Sequence, residues 1–231
     1  MRLRFACTVV GLASLLTADT ALAQQQSLNF SLGYFLVRDE DSRVEGDALV
    51  ANRDLYLFDF DDFNGASLGA EYLYGFGDFF EVGAGVGYTS RGVDTIYEDY
   101  VRPDGREIEQ ELKLRVVPMS ATVRVLPLGR TAFQPYVGGG IGFYNWRYSE
   151  TGDFVDFSVP GQPIFHESYT ETGTSVGPVA VFGLRFAVGN LNVGGEMRYQ
   201  KAEGDLDERD FLGPKIDLGG FHYSATIGFR W

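Results

Sequence analysis

The sequence predicts an all-β fold, an eight-stranded antiparallel transmembrane β-barrel with short turns at one end and long loops at the other. Apolar side chains recur at every second position over eight segments, and the connections between those segments alternate long and short. The final segment, Gly220 to Trp231, sorts by parity without exception: Phe221, Tyr223, Ala225, Ile227, Phe229 and Trp231 share one face, against His222, Ser224, Thr226, Gly228 and Arg230 on the other. Period-two alternation is the mark of a strand with one apolar face. Pairing the last strand with the first removes both sheet edges, and the apolar face then meets lipid.

The N-terminus carries an export signal. Arg2 and Arg4 precede an apolar run from Phe5 to Leu16, and Ala21-Leu22-Ala23 before Gln24 is a small-residue cleavage site. The run is too short for a membrane-spanning helix, which needs about 20 residues. Two parts are expected, a signal peptide over 1–23 and a barrel domain over 24–231. Cys7, the only cysteine, lies within the signal. The mature chain therefore has no disulfide, thiolate nucleophile or cysteine metal site.

The first strand runs over 28–37, with Leu28, Phe30, Leu32, Tyr34 and Leu36 on its apolar face. An acidic segment, 38–64, follows; the second strand sets Ala66, Leu68, Ala70, Tyr72 and Tyr74 outward, with a start as early as Leu55 left open. Gly75-Phe76-Gly77-Asp78 turns the chain into a third strand, Phe80 to Tyr88, making a hairpin. A polar stretch, 89–111, leads to the fourth strand over 112–126. There the apolar phase slips from Leu112, Leu114 and Val116 to Met119, Ala121, Val123 and Val125, and Val117-Pro118 at the slip predicts a β-bulge.

The fifth strand, 134–144, is too rich in glycine over 138–142 to assign its faces. A long segment follows to about 174, and the sixth strand then puts Ala180, Phe182, Leu184 and Phe186 outward. Gly189-Asn190 turns it into the seventh, with Leu191, Val193, Met197 and Tyr199 outward; residues 201–219 lead to the last strand. No segment of 20 to 50 residues repeats.

Charge is divided by segment. The four long segments hold 27 acids and 10 bases, while the rest of the chain after the signal holds 4 acids and 7 bases. That sign opposes nucleic-acid binding, where phosphates require Lys and Arg. Strand charges fall opposite the apolar face: Glu71, Glu81, Lys113, Arg115, Arg124, Arg185, Glu196, Arg198 and Arg230. An Arg or Lys at mid-bilayer on the lipid face would cost roughly 2–4 kcal/mol. A lumen charge network of Glu71, Glu81, Arg124, Arg185, Glu196, Arg198 and Arg230 is expected. Glu71, Glu81, Arg124, Arg185 and Arg230 should plug its lower end, with glycines on the third and fifth strands making room. Tyr72, Tyr74, Phe80, Phe186, Phe229 and Trp231 would form one aromatic girdle, and Tyr88, Tyr199, Phe221 and Tyr223 the other.

Two stretches, Gln134-Pro135-Tyr136-Val137-Gly138-Gly139-Gly140-Ile141-Gly142-Phe143 and Gly220 to Trp231, give the chain its family likeness. Over about Ser27 to Trp231 it resembles the outer-membrane β-barrel superfamily of opacity-like surface proteins and the OmpA transmembrane domain. The resemblance implies a bacterial outer-membrane location and a C-terminal assembly signal, here Tyr223, Ile227, Phe229 and Trp231, read by the barrel-assembly machinery. It also implies contact with outer-membrane lipids and lipopolysaccharide, and a monomer. The expected role is a structural, surface-exposed anchor with acidic loops, a class that serves adhesion or minor solute passage. The alternatives are a channel for small or hydrophobic solutes like the OmpW type, whose apolar lumen differs from the charged face here, and a lipid A deacylase.

The deacylase reading rests on His222-x-Ser224, which places both side chains on one face as in the His-x-Ser pair of those barrels. The acid of that family lies further beyond the pair than this sequence extends, and the two residues are on the polar face, so lumen lining is the expected role and no enzyme activity is assigned. The glycine runs 83–87 and 138–142 lack the helix and Lys-Ser/Thr pair of a phosphate cradle. Asp59, Asp61, Asp62 and Asn64 offer oxygen ligands, but not in the spacing of an EF-hand loop. No cofactor or metal is expected, and no extracellular ligand can be named.

Overall fold

The computed structural model describes residues 25–231, and the proposed signal with Cys7 lies outside the described residues. Eight strands form a closed barrel: β1 (Gln26–Val37), β2 (Gly65–Phe76), β3 (Phe80–Val101), β4 (Glu107–Val125), β5 (Phe133–Val155), β6 (Ile164–Val188), β7 (Leu191–Gln200) and β10 (Gly220–Arg230). A small ribbon of β8 (Glu203–Asp205) and β9 (Lys215–Asp217) lies within the connection between β7 and β10, and a short α-helix, α1 (Ala48–Arg53), flanked by two 3-10 turns, lies between β1 and β2. Every barrel strand pairs antiparallel with its neighbours, and β1 closes on β10 with Phe30 opposite Ile227.

The outer surface of the lower barrel is an apolar band. Phe30, Leu32, Leu68, Val86, Val123, Ile141, Phe182, Val193 and Ile227 are all exposed on it. Phe80, Phe186, Phe229 and Trp231 are exposed near the short turns, with Tyr88 and Tyr223 toward the other rim. Tight reversals depend on Gly77 and Gly189, whose φ angles of 59° and 58° are in the region that a Cβ disfavours. On β5 the exposed and buried positions settle the facing: Val137, Ile141 and Phe143 point outward, and Gln134, Tyr136, Tyr144, Trp146 and Tyr148 inward.

Two expectations are corrected. The stretch 89–111 is largely strand, because β3 and β4 form a hairpin that rises well past the apolar band; β5 and β6 do the same. In addition, there is no bulge at Val117-Pro118. The β3–β4 register is constant from Phe80↔Val125 to Ile96↔Glu109 and shifts only between Ile96 and Val101. The apolar phase slips because the surroundings invert. Below the slip, Met119 and Val123 face the apolar exterior; above it, Leu112, Leu114 and Val116 point inward and are almost fully buried.

Those inward residues belong to an apolar core in the upper barrel. Phe35 and Val37 of β1 and Tyr144, Trp146 and Tyr148 of β5 pack there with Ala48 and Leu49 of α1 and with Phe58, Phe60 and Phe63 from the segment before β2. The segment before β2 is therefore a packed plug and not an early strand from Leu55. Its helix is fixed by Asp47, which accepts from Leu49 N at 2.8 Å and is held by Arg43 at 3.1 Å.

Candidate functional site in the barrel lumen

Below the apolar core, inward positions of five strands bring charged side chains into two layers, and a sixth, β5, adds Gln134 and Tyr136. Even positions on β4, β5 and β7 and odd positions on β2, β3 and β6 face the axis, as the period of a strand requires. In the upper layer Glu71 pairs with Arg124, and with Arg198 at 3.3 Å; Glu196 receives Arg124 at 2.8 Å and Arg198 at 3.0 Å. The Tyr136 hydroxyl donates to Glu196 at 2.9 Å, and its ring stacks under the Arg124 guanidinium at 4.7 Å. In the lower layer one oxygen of Glu81 takes both Arg185 and Arg130, the latter at 3.4 Å, while Arg185 Nε donates to Gln134 at 2.7 Å.

The charged side chains are buried. Arg124 is 1 % exposed, Glu81 2 % and Arg185 5 %. Charges so placed cost several kcal/mol of desolvation each unless they are paired and hydrogen-bonded. Small residues leave the space: a Cβ on Gly83 would lie 2.9 Å from Glu71 Oε1, and one on Gly183 would collide with the Tyr136 ring. A lumen cavity of about 70 Å³ is bordered by Ser31, Ser67, Arg198, His222 and Ser224, and reaches down to Glu71, Arg124 and Arg185. That is room for a few water molecules and not for a solute of metabolite size.

Six of the seven expected network residues come together here. Arg230 does not. It is the last residue of β10, and its Nε donates to the Gly189 carbonyl at 2.6 Å, tying the strand end to the β6–β7 turn. The expected common plug of three arginines facing two glutamates is corrected to two layers, one with Glu196 and Arg198 and one with Arg130. Sequence reasoning missed Arg130, which lies in the β4–β5 turn where no periodicity signals direction; it folds back to donate to Gln25 at 2.7 Å and to the Gly77 carbonyl at 2.7 Å. It also missed Tyr136 and Gln134, hidden by the unassigned facing of β5. Lys113 and Arg115, expected opposite an outward apolar face, instead share the outward parity of Met119 above the apolar band, because Leu112, Leu114 and Val116 point inward there.

The remaining candidates are occupied locally. His222 Nε2 is 3.2 Å from Gln200 Oε1 and its ring lies 4.4 Å from that of Phe35, while Ser224 donates to the Glu196 carbonyl at 3.4 Å. Neither bonds to the other, and the Glu196 carboxylate is committed to Arg124, Arg198 and Tyr136. Asp59 and Asp62 cap a short 3-10 turn, Phe60–Phe63, and Asn64 bridges Asp61 at 2.8 Å to Val37 N at 2.8 Å. Tyr223, Ile227, Phe229 and Trp231 are exposed on the apolar exterior.

This is the fold of the small eight-stranded outer-membrane barrels. Outer membrane protein OprG from Pseudomonas aeruginosa aligns with it at a TM-score of 0.51 and 14% identity, over 91% of this chain and 96% of that one. Ail, the attachment invasion locus protein of Yersinia pestis, in complex with the heparin analogue sucrose octasulfate, aligns at 0.45 and 14%, over 90% and 99%. A major outer membrane protein from Thermus thermophilus aligns at 0.45 and 13%, over 90% and 100%. No protein-family model matches the chain, and no curated protein matches it.

Proposed function

We propose that this chain is an integral protein of the bacterial outer membrane, a closed barrel that anchors and displays an acidic extracellular surface. The observation that carries this reading is the double closure of the lumen, by the paired Glu and Arg layers below and by the apolar core with α1 above. An eight-stranded barrel is only just wide enough for its own side chains to fill it. Above the band, β3 to β6 rise as a sheet whose outward positions include Asp94, Glu109, Glu111 and Asp153, the charge of a surface that meets water. In this reading the apolar exterior contacts outer-membrane lipid and lipopolysaccharide, Tyr223, Ile227, Phe229 and Trp231 guide insertion by the assembly machinery, and the protein acts as a monomer and not as an enzyme.

Purified protein reconstituted in planar bilayers is expected to show no stable openings on the nanosiemens scale; such openings would overturn the closed anchor in favour of a channel. Heat-modifiable migration on gels and recovery in the outer-membrane fraction test the location. His222→Ala and Ser224→Ala are expected to leave the lipid A acylation pattern of expressing cells unchanged, and loss of an acyl chain dependent on either residue, read by mass spectrometry, would establish hydrolase activity.

A further inference from the structure

Among the described residues, every arginine but two has a carboxylate or carbonyl partner within the chain. In the lumen these are Arg124, Arg130, Arg185 and Arg198; at the surface Arg38 meets Asp217, Arg53 Glu40, Arg91 the Asp62 carbonyl, Arg209 Asp207 and Arg230 the Gly189 carbonyl. The two exceptions, Arg115 on β4 and Arg147 on β5, are direct cross-strand partners. Like charges directly opposite one another destabilise a strand pair. Arg115 Nε is moreover buried with no hydrogen-bond partner, a donor whose desolvation nothing in the chain offsets.

The position of the pair on the barrel identifies what would offset it. Both side chains have outward parity, and four residues further down each strand, on the same face, Met119 and Phe143 are exposed and opposite one another. At about 3.3 Å per residue and a tilt near 40°, the pair stands roughly 10 Å above that part of the apolar band. This is the level of lipid headgroups and not of acyl chains. Lys113, two residues above Arg115 on the same face, adds a third base, and Ser90 and Thr172 flank the pair on β3 and β6. Acids begin one step higher, where Asp94 faces Glu111. Going up this face the order is therefore apolar, basic, acidic, although the extracellular segments as a whole are strongly acidic.

We propose that Arg115 and Arg147 form a clasp for a phosphate group of a membrane lipid in the outer leaflet, supported by Lys113. A phosphate between the two guanidiniums turns a repulsive pair into two charge-assisted contacts, and planar guanidinium groups match its oxygens bidentately. The clasp goes beyond the anchoring role proposed above: it assigns one lipid-binding site to two named residues. It rests on the outer-membrane reading, and detergent-resistant lipid retention tests it separately from conductance.

The test uses folded protein reconstituted with phosphatidylcholine alone or with added phosphatidylglycerol or bis-phosphorylated lipid A, then released into mild detergent for native mass spectrometry. Wild type should retain the phosphate-bearing anionic lipid, and Arg115→Gln with Arg147→Gln should retain it at least about tenfold less, the scale of one lost charged hydrogen-bond contact. Arg209→Gln, which removes one charge from a loop as Arg147→Gln removes one from the clasp, should bind as wild type does. Arg147→Gln alone, at an exposed position, is the variant to read if the double variant fails to show heat-modifiable migration, and it too should lose retention. Equal retention by wild type and the clasp variants would overturn the proposal. So would an equal loss in Arg209→Gln, which would make the effect one of net charge. Inorganic phosphate at millimolar concentration in detergent should leave the retained lipid in place; displacement by it would identify a free-anion site instead.

Discussion

The stability of the lumen depends on how many partners each charge keeps when one is removed. Glu71 shares Arg124 and Arg198 with Glu196, so its loss leaves both guanidiniums one carboxylate. Among the described residues, Glu81 is the only carboxylate paired with Arg185 and Arg130. Glu81→Ala should therefore cost about 3–5 kcal/mol, the usual penalty for an uncompensated buried charge, and Glu71→Ala distinctly less; equilibrium urea unfolding in detergent micelles measures both, and equal losses would contradict the shared-partner arrangement. Another buried carboxylate, Glu150, lies in the upper core above the apolar band, 2 % exposed, where Asn52 donates to it at 2.6 Å and Tyr148 at 2.7 Å. Burial raises its pKa above the ordinary carboxylate range, although both hydrogen bonds act the other way. A raised folded-state pKa means that its contribution to stability is full below the unfolded value of about 4.3 and is lost as pH rises through the folded one. Glu150→Gln removes that titration, and its new amide can donate to Asn52 Oδ1, which is buried without a partner. The variant should gain about 1 kcal/mol at neutral pH and show no gain at pH 4, where both side chains are neutral. Parity in the sequence was enough to place six of the network residues on the inner face, because strand geometry alone decides which side a residue takes. It misjudged Arg230 and overlooked Arg130, since a long side chain at a strand end or in a turn goes where its partner is.

At the scale of elements, the strands of the apolar band were legible because lipid outside and charge inside give each residue one of two environments. The same rule failed above the band. There the exterior is wet and the interior apolar, so the alternation of β4 reverses at Val117 with the register unchanged, and a change of solvent looks in sequence like a bulge. The plug before β2 was illegible for a related reason. Its Leu49, Phe58, Phe60 and Phe63 sustain neither a period of two nor one of 3.6, and α1, at six residues, is too short to hold without tertiary contacts. The helix is held by burial of Ala48 and Leu49 and by the Asp47 cap. Leu49→Asp should consequently expel it, since an unpaired carboxylate in that core costs more than the roughly 2–3 kcal/mol that leucine burial contributes. Limited proteolysis of whole cells is expected to cut within 44–54 in the variant and not in wild type, while heat-modifiable migration persists because no barrel strand is touched. Protection of the segment in the variant would show that α1 is held by the loop's polar contacts alone.

For the whole molecule, the arrangement is two seals in series on one axis. The upper is apolar and made partly from a loop, through α1 and the aromatic side chains before β2; the lower is ionic and made from strand side chains and one turn arginine. The lumen holds a cavity of about 70 Å³ beside the charge layers. Resistance in series is set by whichever seal remains, so damage to one should not produce conductance. Excision of 44–54 removes the helix but leaves both charge layers intact. Conversely, Glu71→Ser with Arg124→Ser removes an ion pair together, which leaves no lone charge because Glu196 and Arg198 still pair, and the apolar core above it still excludes hydrated ions. Each variant alone should be as silent as wild type in planar bilayers. Openings in the excised protein would mean that ions pass the charge layers once the mouth is free, and that the physiological gate is the loop. Openings in the double serine variant would mean the reverse, that ions can cross the upper core and that the Glu71–Arg124 layer is what holds the barrel shut.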